Sequence, residues 1–214
     1  MSTIKADAIT ASTGTNTNIA VTGKGSGKVA IGDGTLLFPD ADGSTGQYIK
    51  TDGSANLAFA TLPAGGKVVQ IVTTPITAVV TGTGTIEHND TIPQNTEGSE
   101  FFTLAITPTS ASTRLIIDVV YSCSSSIANR ITGALFQDST ANALSCAAVF
   151  ESSASVFHTT SFSHNMVSGT TSETTFKLRI GQISAATITL NGRGGARLYG
   201  GTFASSMTIT EYTP

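Results

Sequence analysis

The chain has 214 residues, 39 % of them hydrophobic and only 12 % charged, with a net charge of −3 at pH 7. That length holds one well-packed domain plus an appendage, not two full enzyme domains. The weak negative charge gives no electrostatic footing for nucleic acid or anionic lipid, and the low charge does not fit the disordered signature of low hydrophobicity with high net charge.

The N-terminal "MSTIKADAITAS" has no apolar core of a signal peptide, and no run approaches a membrane span, so a soluble chain without membrane insertion is expected. Through residues 1–62 the apolar residues come in short bursts: Ile19-Ala20-Val21, Val29-Ala30-Ile31, Leu36-Leu37-Phe38, Tyr48-Ile49 and Leu57-Ala58-Phe59. Gly, Asn and Asp-Gly steps cut each burst off after two or three residues, and no helical period runs through them, which predicts β structure. No piece is long enough to make a stable sheet with its neighbour alone. A lone copy would leave these side chains wet and its strand edges unpaired. Three chains wound about one axis remove both problems, so Leu37, Phe38, Leu57 and Phe59 are the expected trimer core. The competing reading is a flexible linker, against which the regularly placed Ile, Val, Leu and Phe count.

Two motifs in this half invite a ligand and fail. In "TGKGSGKV" Thr22 stands where a phosphate loop needs its first Gly, and Val29 where Ser or Thr would hold magnesium. "DADGSTGQ", from Asp40, opens like a calcium loop, but Tyr48 and Ile49 occupy the region where the closing acid belongs. No cofactor is expected.

The text changes at Pro63-Ala64-Gly65-Gly66, giving an expected division into an anchor and shaft, 1–62, and a head, 63–214. "KVVQIVTT", "EFFTLAIT", "TRLIIDVVYSC", "ITGALFQD", "SVFHTTSFSHNMV", "TTFKLRI", "AATITL" and "SMTITEY" read as strands bounded by Gly, Asn, Pro or Ser. Antiparallel strands in this number, with no helix between them, predict a two-sheet sandwich of jelly-roll type. Leu115, Ile117, Val119 and Tyr121 should face one way and Ile116, Asp118 and Val120 the other, a half-polar face open to a neighbouring subunit. The final strand is expected inside its sheet, with Glu211 near the mouth or paired with a base. Cys123 and Cys146 read as small buried hydrophobes with free thiols rather than a disulfide.

His158 and His164 are six residues apart, on one face of an extended strand. Across a threefold axis they are weak metal candidates; the alternative is ordinary sheet residues. Asp118, Asp138, Glu151, Glu173 and Glu211 are scattered singly, not paired as glycoside hydrolysis requires, and no serine sits in a nucleophile elbow. A non-enzymatic protein is expected, an envelope-polysaccharide depolymerase being the lesser reading. Arg130, Arg193, Arg197 and Tyr199, on the stretches Ser122–Arg130 and Asn191–Arg197 and just beyond, are candidates to grip and stack on sugar groups.

The stretch "GDGTLLFPDADGSTGQYIKTDGSANLAF" resembles shaft or neck segments of bacteriophage tail fibres. The run from "HNDTIPQNTEGSEFF" through "LFQDST" to "GGTFASSMTITE" resembles the terminal domain of phage fibre and virion structural proteins. The resemblance implies an all-β, homotrimeric virion protein assembled in the host cytoplasm: an intertwined β shaft followed by a jelly-roll-like, C1q/TNF-like β-sandwich. Its implied partners are sister chains, other virion proteins through the N-terminus, and a host-surface glycan or outer-membrane receptor. A short tail fibre is the first reading, a capsid fibre or decoration protein the second.

Overall fold

A computed structural model describes residues 30–31, 36–39, 43–54, 56–62 and 66–214, and the chain divides into two units, Met1–Pro63 and Ala64–Pro214. In the first unit β1 (Ala30–Ile31) pairs antiparallel with β2 (Leu36–Leu37), and β3 (Gln47–Thr51) with β4 (Leu57–Thr61). Within one chain these short pieces pair two by two. The Asp52 carboxylate accepts the Ser54 N–H at 2.7 Å, the Asn56 N–H at 3.2 Å and the Asn56 Nδ2 at 2.9 Å, which closes the turn locally. Five-residue strands then register Ile49 against Phe59 and Thr51 against Leu57. Phe38, Leu57 and Phe59 are half-buried, and the Phe59 ring lies so close to Gly43 that a Cβ there would stand 2.6 Å from it. The Leu37 side chain falls outside the described residues. Tyr48 and Ile49, on opposite faces of β3, remain 40 % and 47 % exposed.

The second unit is built from β5 (Val68–Ile76), β6 (Val80–Gly82), β7 (Ser99–Ile106), β8 (Arg114–Ser125), β9 (Arg130–Gln137), β10 (Ser145–Phe150), β11 (Phe157–Val167), β12 (Thr174–Gln182), β13 (Ile188–Leu190), β14 (Gly192–Arg193), β15 (Ala196–Arg197) and β16 (Ser205–Tyr212). One sheet runs β5-β16-β8-β11, with β13 and β6 continuing it beside the end of β8, and the other runs β10-β9-β12-β7. Counting the eight principal strands in chain order, the first sheet holds the first, eighth, third and sixth, and the second holds the second, seventh, fourth and fifth. This is the two-Greek-key order of a jelly roll. The fold is all-β, a jelly-roll-like sandwich, as the strand pattern predicts.

Period-two alternation explains the core. Leu115, Ile117, Val119 and Tyr121 of β8 and Met207 and Ile209 of β16 are fully buried against Leu135, Phe176, Leu178 and Ile180 of the facing sheet. Between Leu178 and Arg179 the pairing of β12 with β7 slips by one residue, so that both Phe101 and Phe102 reach the core. The Tyr121 ring lies over Gly133, where a Cβ would come within 2.7 Å of it. Gly133→Ala is therefore expected to cost about 1–3 kcal/mol, read as a fall in the urea midpoint with an unchanged slope.

One cover and two corrections follow. On the outer face of β9 Ala134 and Phe136 are inaccessible, because the segment before β7 folds back and seats Ile86 on them. The Ile86 N–H donates to Gln182 O at 3.0 Å and the Gly98 N–H to Thr85 O at 2.8 Å, fastening that cover. Cys123 is buried, its thiol pushed up to about 12 by burial, but Cys146 is exposed: β10 is an edge strand and Cys146 lies on its outward side. Glu211 neither lines a mouth nor meets a base. It is fully buried and accepts the Thr113 hydroxyl at 2.6 Å, the Gln70 amide at 2.6 Å, and the Thr109 hydroxyl and N–H at 2.8 and 2.9 Å. Burial raises its pKa, but these hydrogen bonds, Thr113 foremost, outweigh it and hold the carboxyl below the usual range.

Candidate functional site

The two ends of the sandwich differ. Where the chain comes in, the Gly66 N–H donates to Thr213 O and the Thr213 N–H to Lys67 O, both at 2.9 Å, so the beginning and end of the unit are clasped together. Strand β8 runs from Arg114, opposite Tyr212 at that end, to Ser125, opposite Ile188 at the far end. Residues 126–129, 151–156, 183–187 and 191–204 therefore gather at the far end.

Main-chain bonds stitch three of these loops: Ser126 N–H to Thr187 O at 2.9 Å, Glu151 N–H to Asn129 O at 2.8 Å, and Ser155 N–H to Ser125 O at 2.7 Å. Beneath them lies Glu151, fully buried, with each carboxylate oxygen 3.2 Å from the Ser125 N–H. Burial pushes its pKa up to about 7, against that one backbone bond. The Ser125 hydroxyl donates to Gln182 Oε1, and Gln182 Nε2 to Ala186 O at 2.9 Å, continuing the network into the next loop. The expected exposed stretch Ser122–Arg130 is corrected accordingly: Ser122 to Ser125 are buried in β8, and exposure begins at Ser126.

The β14–β15 hairpin projects from a fixed root. Asn191, at φ 54, donates through Nδ2 to Ile76 O at 2.7 Å and Ala78 O at 3.0 Å, and accepts the Ser205 hydroxyl at 2.7 Å. The Ser124 hydroxyl donates to Gly192 O at 2.9 Å. Beyond this root Arg193 and Arg197 are exposed, and Tyr199 is 74 % exposed on a backbone at φ 48, a conformation uncommon for an aromatic residue. The Tyr199 ring centroid is 6.0 Å from that of Phe203, which meets Phe157 edge-on at 4.3 Å. Sequence reasoning missed both phenylalanines, and it placed Asn191 at the start of an outward loop, whereas the residue is fully buried; the Asn-Gly step after a strand was the available signal. Arg193, Arg197 and Tyr199 thus belong to one hairpin and its following turn. Arg130 belongs to a different element, half-buried at the start of β9 with its guanidinium 5.9 Å from the Phe150 ring centre.

His158 and His164 lie on one face of β11, as their spacing predicts. Phe162 and Met166, which pack against the core, share that face, so both imidazoles point toward the sandwich. Six residues of strand place them about 20 Å apart within one chain. Burial lowers the pKa of His164. Among the described residues no group of three metal-ligating side chains occurs. Glu151 and Glu211, the two fully buried carboxylates among those residues, stand at opposite ends of the sandwich.

No protein-family model matches the chain, and no curated protein matches it. Solved structures similar to part of it include dimeric latent PorU from Porphyromonas gingivalis, at 11 % identity and a TM-score of 0.34, covering 75 % of this chain and 15 % of that one. A structure of infectious bursal disease virus, Gt strain, is 15 % identical with a TM-score of 0.30, covering 73 % of this chain and 40 % of that one. The VP2 subviral particle of the same virus gives 15 % identity and a TM-score of 0.30, covering 73 % and 39 %. The chain spans well under half the length of each.

Proposed function

We propose that this chain is a non-enzymatic virion fibre protein, a short homotrimeric tail fibre whose jelly-roll head meets a host surface through its far-end loops. The observation that carries the reading is the β3–β4 hairpin, which leaves Tyr48 and Ile49 exposed on its two faces while a two-stranded hairpin alone is marginal in water. Sister chains supply the missing cover. The outer face of the β5-β16-β8-β11 sheet offers a second, half-polar surface, with Ile71 61 % and Val167 48 % exposed and Asp118 and Arg114 as its charged groups. The resemblance of both halves to phage fibres supports the same assignment, and the far-end hairpin, rooted at Asn191, presents two guanidiniums and a phenol suited to anionic or stacking sugar groups. With few cations and no Trp, each head binds weakly, and many copies on one particle supply the strength.

Sedimentation velocity of the full-length chain at micromolar concentration should show a species of three subunits; a folded single chain of 21.8 kDa would overturn the reading. Replacing Arg193, Arg197 and Tyr199 together by Ala should abolish adsorption to host cells with an unchanged thermal midpoint. Adsorption equal to the wild type would remove the hairpin from the contact.

A further inference from the structure

On the outer face of the second sheet, away from the far-end loops, Asn95, Glu100, Phe136, Asp138, Ser139, Lys177 and Arg179 enclose a pocket of about 260 Å³. We propose that this pocket binds one neutral pyranose ring of a surface glycan, an inference that rests on the host-contact reading and gives the head a second, distinct sugar subsite.

Alternation along β12 sends Phe176, Leu178 and Ile180 into the core and Lys177 and Arg179 outward into the pocket. Much of the wall is set before any ligand arrives. Arg179 is held by Glu97 O at 2.6 Å and Gly98 O at 2.7 Å, and its Nη1 stands 3.8 Å from Glu100. Asp138 accepts the Thr174 hydroxyl and the Thr175 N–H, each at 2.8 Å. Asn95 Nδ2 donates to Ser139 O at 3.0 Å and Thr140 O at 3.1 Å, leaving its Oδ1 without a donor among the described residues. Lys177 Nζ and the Ser139 hydroxyl likewise have no partner there.

The pocket therefore presents open donors (Lys177, Ser139) beside open acceptors (Asn95 Oδ1, Glu100 and the spare lone pairs of Asp138). Vicinal sugar hydroxyls, each both donor and acceptor, match such a mixed set. Two acids and two bases sum to no net charge, so a charged ligand gains no net attraction. The volume lies below that of drug-sized sites and suits a single ring. Phe136 is fully buried and offers no stacking face, which keeps the affinity in the millimolar range.

The test is a titration of the isotope-labelled full-length chain with methyl α-D-glucopyranoside, galactopyranoside and mannopyranoside, for the wild type and for Lys177→Ala. Saturable amide shifts at Asn95, Ser139 and Lys177 are expected with at least one sugar. Lys177→Ala should weaken that binding at least fivefold at an unchanged thermal midpoint, since Lys177 makes no bond within the fold. No saturable shift with any of the three, shifts confined to residues 191–203, or affinity unchanged in Lys177→Ala would each overturn the proposal. A wild-type chain that takes up sugar here yet adsorbs to no host cell supports the pocket and overturns the host-contact reading instead.

Discussion

Replacing Glu211 by Ala is expected to lower stability by about 1–3 kcal/mol, because the buried Thr113 hydroxyl, the half-buried Gln70 amide and the Thr109 hydroxyl and N–H lose the carboxylate they share, while Ser110 O and Thr107 O remain as acceptors for the first two. For a unit of this size that is a fall of roughly 5 °C in thermal midpoint, readable by circular dichroism. The carboxyl is held below its ordinary value of 4.5 in the folded state. Its contribution is thus fully present above that value and is lost as pH falls through the folded one. The wild type should lose stability in acid while Glu211→Ala, already lacking the contribution, changes less. An alanine variant that melts with the wild type at neutral pH would show that the four donors find other partners.

Glu151→Gln should act in the opposite direction. The folded value is about 7 against an ordinary 4.5. Below 4.5 the acid is protonated in both states and contributes nothing to pH dependence. Between 4.5 and 7 the unfolded chain releases its proton while the folded chain keeps it, so stability declines as pH rises, and above 7 the full cost persists. Glutamine imitates the neutral acid at every pH. Urea unfolding should therefore find Glu151→Gln close to the wild type near pH 4 and more stable by about 1–3 kcal/mol near pH 8, the range allowing for solvent screening. Equal stability of the two proteins across the whole range would mean that the carboxylate is ionised in the folded state without penalty.

Both glutamates illustrate what a sequence can and cannot disclose. The alternation of Met207, Ile209 and Glu211 against Thr208, Thr210 and Tyr212 was legible, as were eight strand runs and the two-sheet sandwich, because a period of two is a local property. The partner of Glu211 was not. Thr109, Thr113 and Gln70 are remote in the chain and converge only once β16 lies between β5 and β8. The same limit applies to β9, whose outer face is covered by the remote segment carrying Ile86, and to Cys146, whose exposure follows from β10 being an edge. The hairpin turn at Asp52 was legible in principle, since Asp-Gly-Ser-Ala-Asn carries its own acceptor and donors, but the shortness of the apolar bursts concealed it. At the candidate site, Arg193, Arg197 and Tyr199 were found as a group because they are neighbours in sequence; Arg130 lies on another element, at the start of β9. The pocket around Lys177 draws on four separate segments and left no contiguous signature.

The clasp of Gly66 and Lys67 with Thr213 has a mechanical corollary. Because Gly66, Lys67 and Thr213 meet at one pole of the unit, a pull between that pole and the far-end loops runs lengthwise along β5, β8 and β16. Their ladder bonds then bear the load side by side instead of opening one after another, so the unit resists such a pull in shear, its strongest orientation.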